Sequence, residues 1–504
     1  MLRVGAAVIA VASAKLLVHL YAGRHYGYFI DELYYLACSR HLDWGYVDQP
    51  PLIAAVTWIA RTVLGQSLAG IRLLPALAGV AEVVLTALIA RELGGKRFAQ
   101  GLAAIAALTA PGILAMDGLL TMNAFEPLFW MGCVYLLIHL IKTGDEKFWI
   151  WFGLLAGFGI ENKCSMLIFG AGLVLGLLLT PEPRLLRNRW LLAGGAIAFL
   201  IFLPNLIWNV QHHFPFLELQ ANIRHSRRDV PLNPFAFFGQ EILSMNPFAL
   251  PLWLGGLWFY FFTQAGRRFR AIGWAWIFTA AVILVVSPRI YYLFSGFPVL
   301  FAGGAVLCEY LLAQPKVAWL KFAYPALLIL SGAVLAPLAI PLLPPETYIR
   351  YTKALGFNQP RIENQRLGPL PQIFADQFGW EGMVATVARV YNSLPPDVRT
   401  HTAVYAQNYG QAGAIDLFGP KYGLPAAISG HQSYFLWGPR GYTGQNMIVM
   451  DDRQAILQRI FKTVRKAATV YDPYSMPGEH FDVFYCQGMR APLPGFWPRV
   501  KNWD

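Results

Sequence analysis

Long apolar windows separated by short polar links dominate the first two thirds of the chain. Most have roughly the 17 to 25 residues that an α-helix needs to cross a bilayer, and two are shorter. The windows lie at 4–22, 66–90, 98–116, 120–141, 148–161, 165–180, 190–209, 247–263, 271–287, 291–312 and 322–343. This pattern predicts an α-helical polytopic membrane protein with about 11 transmembrane helices, the number of these windows.

The first window also has features of a signal peptide, because the basic Arg3 precedes a short apolar run. The apolar run resumes after Lys15, however, and the whole segment is then long enough to span a bilayer. We therefore interpret it as the first transmembrane helix.

Links rich in Lys and Arg alternate with links that are not, which predicts the orientation of the chain. The basic links lie at 91–97, 142–147, 184–189, 267–270 and 316–321. By the positive-inside rule these links and the N-terminus are cytoplasmic. The opposite, periplasmic face of an inner membrane then receives the remaining links: 23–65, the turn at Asp117, 161–163, 210–246, 287–289 and the C-terminal residues.

The composition agrees with a membrane protein and excludes other classes. Of the 504 residues, 56% are hydrophobic and only 13% are charged, too few to cover the core of a soluble protein of this size. The net charge of +12 comes mostly from the short clusters between spans, so no nucleic-acid partner is predicted. The five cysteines lack metal-ligand spacing and predict neither a disulfide framework nor a zinc site.

The composition changes near residue 344, after the Pro-rich stretch 341–345. We therefore predict a transmembrane domain at 1–343 and a periplasmic domain at 344–504. The second domain contains helix-like and strand-like stretches and is predicted to be a small α/β domain. The helix-like stretches are 380–394 and 452–465, and the strand-like stretches are 402–406, 446–450 and 481–486.

The outer loop at 23–65 holds the densest group of candidate catalytic side chains. Asp31 and Glu32 are adjacent, so on a helix their side chains diverge by about 100° and cannot both address one atom. One of them is expected to do the chemistry and the other to hold structure. A helix N-cap is an alternative role for Asp31, because it precedes an apolar run.

Further polar and aromatic residues follow in the same loop. Asp43 and Asp48 add two carboxylates to it. Three aromatic residues could offer apolar faces to a sugar ring or a lipid: Tyr34, Tyr35 and Trp44. A carboxylate in such a site can take the proton of an attacking hydroxyl, which indicates a group-transfer enzyme.

Cations on the same predicted face could stabilise a leaving phosphate. The candidates are Lys163 and Arg289, the latter beside Tyr292. An ion pair with Glu161 is an alternative role for Lys163. The cluster 224–228 is predicted to contact anionic lipid headgroups.

Five motifs in a fixed order resemble one family. They are Asp31-Glu32, the sequence DQPPL at 48–52, IRLLPAL at 71–77, DGLLTMNA at 117–124 and NKCSML at 162–167. These motifs are similar to those of the C-type membrane glycosyltransferases of family 39. This family includes protein O-mannosyltransferases and lies close to the aminoarabinose transferases that modify lipid A. The resemblance covers approximately residues 1–310.

The resemblance implies a polyprenyl-phosphate sugar as donor, inversion at the anomeric carbon and a catalytic aspartate at Asp31. Glu32 and Asp48 would then orient that carboxylate, and Asp117 would belong to the substrate pocket. Gln49 stands where relatives often carry a Lys. The phosphate contacts are therefore expected mainly from Lys163, Arg289 and Tyr292, and Gln49 is included with them. A divalent metal ion at Asp31 remains open.

The sequence thus predicts a glycosyltransferase of the inner membrane that uses a polyprenyl-phosphate-linked sugar. Its acceptor would be an envelope molecule, namely a protein, lipid A or another glycan, and membrane lipids would surround it. The alternative is a transporter or flippase of the same lipid-linked sugar. That function needs polar groups inside the spans, for which the sequence offers Lys15, His19, Glu82, His139 and Glu309.

Overall fold

A computed structural model describes residues 5–180, 183–286, 289–359, 361, 363–451 and 453–504. The start of the first window, residues 287–288 of one link, and the start of the stretch 452–465 lie outside the described residues. The chain forms two compact units. The membrane unit comprises Met1–His25, Ala69–Ile207 and Pro231–Leu343. The C-terminal unit comprises Tyr26–Leu68, Trp208–Val230 and Pro344–Asp504.

Most described residues are helical. The α-helices are α1 Ala6–Ala22, α2 Ile30–Cys38, α3 Leu52–Leu64, α4 Leu68–Ile71, α5 Leu73–Glu92, α6 Arg97–Thr109, α7 Pro111–Asp117, α8 Met122–Thr143, α9 Phe148–Asn162, α10 Ser165–Leu178, α11 Arg189–Gln211, α12 Pro215–Ser226, α13 Pro234–Ser244, α14 Leu250–Phe262, α15 Arg270–Val286, α16 Phe297–Leu311, α17 Leu320–Ala339, α18 Pro345–Ala354, α19 Gln372–Ala375, α20 Trp380–Asn392, α21 Pro396–Arg399, α22 Tyr409–Phe418, α23 Gln432–Trp437, α24 Gln454–Ile460 and α25 Leu493–Phe496. Short 3-10 helices connect several of them: Pro183–Leu186, Pro247–Ala249, Gly266–Phe269, Ile290–Tyr292, Phe294–Gly296, Pro315–Val317, Gly419–Tyr422, Pro477–Glu479 and Trp497–Val500.

Every predicted apolar window contains a helix, which confirms the α-helical polytopic class. Within the described residues, 6 helices are long and apolar enough to cross a membrane, and 8 if each bent pair is one span. The bent pairs are α6 with α7, at 69°, and α13 with the helical segment Pro247–Phe262, at 100°. The three other windows contain the shorter helices α1, α9 and α10. The count of eleven spans therefore stays a prediction.

Glycines let the helices of the membrane unit pack closely. Helices α14 and α16 cross at Gly256 and Gly304, where a Cβ atom would collide with the backbone of the facing helix. Small residues at a crossing are the usual means of bringing two apolar helices together in a membrane, because lipid and side chains are equally apolar there. The core around this crossing contains buried aromatic rings such as Phe259, Tyr260 and Phe297.

The C-terminal unit contains one five-stranded sheet, which confirms the predicted small α/β fold. Its strands are β1 Thr402–Ala406, β2 Ile428–Ser429, β3 Asn446–Asp451, β4 Phe461–Val470 and β5 Phe481–Met489. The order across the sheet is β2-β1-β3-β5-β4. Strands β1, β2 and β3 run parallel, whereas β5 pairs antiparallel with both β3 and β4.

One predicted helix in this unit was wrong in part. The stretch 452–465 was expected to be helical, but the helix ends at Ile460 and the chain continues as β4 from Phe461. Strand β4 pairs only with β5 in the sheet, and most of its side chains are exposed, including Lys462. Charged residues are common on edge strands because they prevent further pairing, and they hide the alternating pattern that identifies a strand.

Candidate active site

Asp31 is held by a hydrogen bond from a residue far along the chain. It lies in the first turn of α2, and the hydroxyl of Tyr409 donates to its Oδ1 atom at 2.8 Å. Tyr409 is the first residue of α22, and the side chain of Asn408 caps that helix by accepting from the backbone nitrogen of Gln411. The cap fixes where α22 begins, and thereby where the tyrosine side chain starts.

A glycine allows α22 to lie directly against α2. A Cβ atom at Gly413 would lie 2.7 Å from the carbonyl oxygen of Leu33, closer than real Cβ contacts. A larger residue there would push the two helices apart. This close packing, one turn beyond Tyr409, helps to hold its hydroxyl at the carboxylate.

The surroundings of Asp31 shift its ionisation. Burial raises the pKa of Asp31 to about 6, and the hydrogen bond from Tyr409 counteracts part of that effect. The charges of Glu363 and Glu32 raise the pKa further, whereas that of Arg228 lowers it. A carboxyl with a pKa near 6 is mostly ionised at neutral pH and still basic enough to accept a proton.

Asp48 is a second half-buried carboxylate of the same unit. The hydroxyl of Tyr34 donates to its Oδ1 atom at 2.9 Å, and the same hydroxyl lies 2.7 Å from Ser433 Oγ. Burial raises the pKa of Asp48 to about 7, the bond from Tyr34 lowers it, and the charge of Asp31 raises it. The two carboxyls therefore influence one another, and Asp48 carries a proton in about half of the molecules at neutral pH.

Glu32 has the structural role that we expected for one residue of the adjacent pair Asp31 and Glu32. Its Oε2 atom accepts from the backbone nitrogen of Phe29 at 2.9 Å, and the residue is buried. This is the position three residues into the helix that reaches back to cap it. The alternative role of Asp31 as the N-cap is therefore wrong, because the helix begins at Ile30 and Glu32 supplies the capping carboxylate.

Aromatic rings stack beside the two carboxylates. The rings of Tyr34 and Tyr409 have centroids 4.7 Å apart. His431 stacks on the other side of Tyr409, with centroids 5.0 Å apart and planes at 2°. The Nδ1 atom of His431 accepts from the backbone nitrogen of Tyr409 at 3.1 Å, and burial lowers the pKa of the imidazole to about 4. A neutral His431 thus buttresses the tyrosine that bonds Asp31.

The sequence analysis missed several charged groups around this site. Asp376 is buried, and burial together with the charges of Glu479 and Asp31 raises its pKa well above the usual value. Arg228 forms an ion pair with Glu363 at 3.4 Å. The contact of the cluster 224–228 with lipid headgroups stays a prediction, and one of its arginines, Arg228, also has a carboxylate partner. No local motif marks these residues, because their partners lie far away in the sequence.

The other predicted pocket residues of the loop differ in exposure. Tyr35 is buried, whereas Trp44 is 62% exposed. Gln49 is buried, and its Nε2 atom points to the sulfur of Cys38 at 3.8 Å. Asp43 accepts from the indole of Trp208 at 2.9 Å. Of the two predicted aromatic residues Tyr35 and Trp44, Trp44 is the one that is exposed to solvent.

Lys163 in the membrane unit has a different partner from the one considered. Its Nζ atom donates to Asn123 Oδ1 at 2.8 Å and to Glu126 Oε2 at 3.0 Å. The alternative of an ion pair with Glu161 is therefore wrong. Two serines also donate to the carboxylate of Glu126: Ser165 and Ser295. These two hydroxyls and Lys163 together stabilise the negative charge of Glu126.

Three of the four residues predicted to contact phosphate lie near one another in the membrane unit, whereas Gln49 belongs to the C-terminal unit. The Lys163 Nζ atom lies 4.7 Å from the centroid of the Tyr292 ring and 5.5 Å from that of Tyr291. Arg289 donates to the Tyr291 hydroxyl at 3.1 Å. Two cations and two phenol rings from positions more than a hundred residues apart thus form one group. Such a group has the charge and the donors that a phosphate monoester needs.

Asp117 lies elsewhere in the membrane unit, in an ion pair with Lys15. The two charged atoms are 2.7 Å apart, and both side chains are fully buried. Glu82 and Asp117 line one small cavity of this unit, together with Asn123 and Tyr291. Asp117, which was predicted to belong to the substrate pocket, thus has the ammonium group of Lys15 in α1 as its partner.

None of the described side chains form a group of three or more His, Cys, Asp or Glu residues that could hold a metal ion. Asp31 is instead bonded to a hydroxyl. We therefore derive no step through a metal.

Known proteins resemble this chain in sequence and in fold. The family described as "Dolichyl-phosphate-mannose-protein mannosyltransferase" matches residues 48–208. The lipid A galacturonosyltransferase RgtD of Rhizobium johnstonii is 26% identical over 202 residues, which are 39% of this chain and 42% of the relative. The chain thus spans less than half the length of this curated relative.

Two solved structures share the fold. ArnT from Cupriavidus metallidurans, bound to undecaprenyl phosphate, has a TM-score of 0.59 at 17% identity, covering 95% of this chain and 97% of ArnT. The oligosaccharyltransferase AglB from Archaeoglobus fulgidus, in complex with an inhibitory peptide and dolichol-phosphate, has a TM-score of 0.52 at 12% identity, covering 88% of this chain and 69% of AglB. The curated relative and AglB are described as transferases. The chain is thus a multi-pass membrane protein that resembles membrane glycosyltransferases in sequence over residues 48–208 and shares the fold of ArnT.

Proposed function

We propose that this chain transfers a sugar from a polyprenyl-phosphate-linked donor to a hydroxyl or phosphate of an envelope acceptor, with inversion at the anomeric carbon. The observation that carries this proposal is the half-buried Asp31 carboxylate, held by the Tyr409 hydroxyl and with a pKa near 6. A base with these properties suits deprotonation of an acceptor during attack. The acceptor is a protein, lipid A or another envelope glycan.

The relatives support the donor class. The ArnT structure contains undecaprenyl phosphate, and the AglB structure contains dolichol-phosphate. The curated relative reported above is described as a lipid A galacturonosyltransferase. A polyprenyl phosphate is therefore the leaving group that we assign to this chain.

In the proposed reaction, the acceptor oxygen forms a bond to the anomeric carbon while the bond from that carbon to the phosphate oxygen breaks. Asp31 takes the acceptor proton, and the polyprenyl phosphate leaves with the bonding electron pair. Asp48 holds a proton for part of the time and limits the repulsion that a second carboxylate would cause. Lys163 and Arg289 are the cations that we assign to the departing phosphate.

We also propose the orientation that the basic links indicate. The protein lies in the inner membrane, with its N-terminus in the cytoplasm and its C-terminal residues in the periplasm. A cysteine-accessibility experiment tests this orientation. A cysteine introduced at the exposed Lys462 should react with a membrane-impermeant maleimide in intact spheroplasts, whereas one introduced at Arg97 should not.

The proposed function is tested by comparing the envelope with and without this protein. Mass spectrometry of lipid A, glycoproteins and other glycans should show one acceptor class that lacks one sugar in the deletion strain. The purified protein should then transfer that sugar from undecaprenyl-phosphate-sugar to the isolated acceptor. If all glycans are unchanged and no transfer occurs from any polyprenyl-phosphate sugar, the proposal is wrong.

Replacing Tyr409 with Phe should move the acid limb of the pH–rate profile to higher pH. The Tyr409 hydrogen bond favours the ionised form of Asp31, so its loss raises the pKa of that carboxyl. A raised pKa means that less of the base is ionised at pH 6, and kcat/KM should fall several-fold there but much less at pH 8.

The control for this prediction is Tyr471→Phe, which removes a hydroxyl from a ring that is 71% exposed. Other charged groups near Asp31 stay unchanged in both variants: Glu32, Asp48, Arg228, Glu363 and Asp376. A Tyr409→Phe profile that coincides with the wild-type profile at every pH would show that this hydroxyl does not set the ionisation of the base.

A further inference from the structure

The C-terminal unit contains a cavity of about 530 Å³ that the proposed reaction does not use. It lies on one face of the sheet, between strands β1 and β3, helix α24 and the segment 489–502. We call it the sheet cavity. A volume of several hundred Å³ is typical of sites that bind small molecules.

The topology places this cavity where sheets of this kind usually bind ligands. Strand β1 connects through α22 to β2 on one side, and β3 pairs on the other side of β1. After β1 the chain therefore continues toward one edge of the sheet, and after β3 it continues toward the other edge. Crevices at the carboxyl ends of such strands are the common ligand sites of open α/β sheets. Gln407 and Asp451, at these two ends, both line the cavity.

Most of the side chains that form the floor of the cavity are apolar. Met447 and Val449 lie on the same face of β3, because alternate strand residues share a face. Further apolar side chains extend the floor away from the carboxyl end: Leu457, Ile460, Phe461, Met489, Leu493 and Phe496. An apolar floor fits a hydrocarbon chain better than a compact polar metabolite.

The lining of the cavity has an excess of positive charge. Three cations line it, Arg453, Arg499 and Lys501, against one carboxylate, Asp451. Asp451 pairs with Arg453, and Glu218 pairs with Lys501. Among the described residues, Arg499 is the lining cation without a salt bridge; its guanidinium lies 5.7 Å from the ring centroid of Phe496. Arg499 is exposed, so its donors are accessible to a ligand.

We propose that the sheet cavity binds an anionic amphiphile with a single hydrocarbon chain. The chain lies along the floor formed by Met447, Val449 and the apolar residues beyond them. The phosphate or carboxylate of the amphiphile pairs with Arg499, whose exposed guanidinium can donate to it. This binding does not depend on the proposed sugar-transfer reaction, so the two proposals are tested separately.

Photo-crosslinking of the full-length protein in phosphatidylcholine nanodiscs tests this proposal. The probe is dodecyl phosphate with a diazirine at the end of its chain, and adducts are located by peptide mass spectrometry. We expect adducts on β3, α24 and the segment 489–502. A dodecyltrimethylammonium probe with the same diazirine should label these peptides about ten-fold less, because it cannot pair with a guanidinium.

Two variants examine the two ends of the site. Val449→Trp fills the floor and should abolish the adducts, and Arg499→Ala should reduce phosphate labelling about ten-fold. Lys462→Ala is the matched control, because it removes an exposed cation that does not line the cavity. If Val449→Trp fails to fold, the exposed Arg499→Ala variant still decides the question.

The proposal is overturned if both probes label the cavity peptides equally. It is also overturned if labelling by dodecyl phosphate is the same in Arg499→Ala as in Lys462→Ala, or if adducts form only on the membrane helices. Adducts confined to the cavity that require Arg499 and the anionic head would establish the site.

Discussion

Replacing Asp31 with Asn should lower the rate of sugar transfer by about 10²- to 10⁴-fold, the usual contribution of a general base. The amide has the shape of the carboxylate but cannot take the proton of the attacking acceptor. Its oxygen can still accept the hydrogen bond from Tyr409, which lies 2.8 Å from the native carboxylate, so the fold should survive. The measurement is transfer from undecaprenyl-phosphate-sugar by the purified, correctly inserted variant.

A matched control for this variant is Glu32→Gln. Glu32 caps α2 and is the immediate neighbour of Asp31, so its substitution removes a charge at nearly the same place. It should reduce thermal stability, because a capping carboxylate is lost, while the turnover of the folded protein should stay within a few-fold of wild type. A normal rate for Asp31→Asn, or an equal loss in both variants, would contradict the assignment of Asp31 as the base.

Replacing Lys15 with Met should destabilise the membrane unit by about 3–5 kcal/mol, the usual cost of leaving a buried charge without its partner. Lys15 and Asp117 are 2.7 Å apart and fully buried, so water cannot take the place of the lost ammonium group. Asp117 ends α7, and Lys15 is in the middle of α1. The loss should therefore appear as a lower melting temperature of the detergent-solubilised protein.

The double variant Lys15→Met with Asp117→Leu separates pairing from packing. Removing both charges should restore much of the stability, because apolar replacements of a buried pair are often neutral. Lys421→Met is the control: its pair with Glu381 is exposed, with the two side chains 48% and 66% accessible, and should matter little. An unchanged melting temperature in Lys15→Met would show that this ion pair does not hold α1 and α7 together.

Periodicity in the sequence was enough to predict most of the elements. Strand β1 covers the predicted residues 402–406, and each apolar window contains a helix. These features are local, because a strand or a span is encoded by residues that are neighbours in the chain. The same reasoning did not predict the charged edge strand β4, because its exposed residues do not alternate between polar and apolar.

Part of the candidate site was also predictable. The different roles of Asp31 and Glu32 follow from the geometry of one helical turn, and the structure gives Glu32 the capping role. Motifs in the first half of the chain led to the family resemblance, and a family model that matches residues 48–208 and the fold shared with ArnT agree with it. Local spacing and motif order carry this information, and both are visible in a single sequence.

What only the tertiary structure decided is the partner of each buried charge. Tyr409 bonds Asp31 from 378 residues away, and Lys163 pairs with Glu126 instead of the nearby Glu161. A buried charge must find a partner because an unpaired one is too costly. The partner of a given charge depends on how the helices pack. For example, Gly413 lets α22 lie close to α2, and this packing brings Tyr409 to Asp31. The sequence by itself determined most of the helices and strands and indicated that Asp31 and Glu32 have different roles, whereas packing between distant segments determined what holds each carboxylate in place.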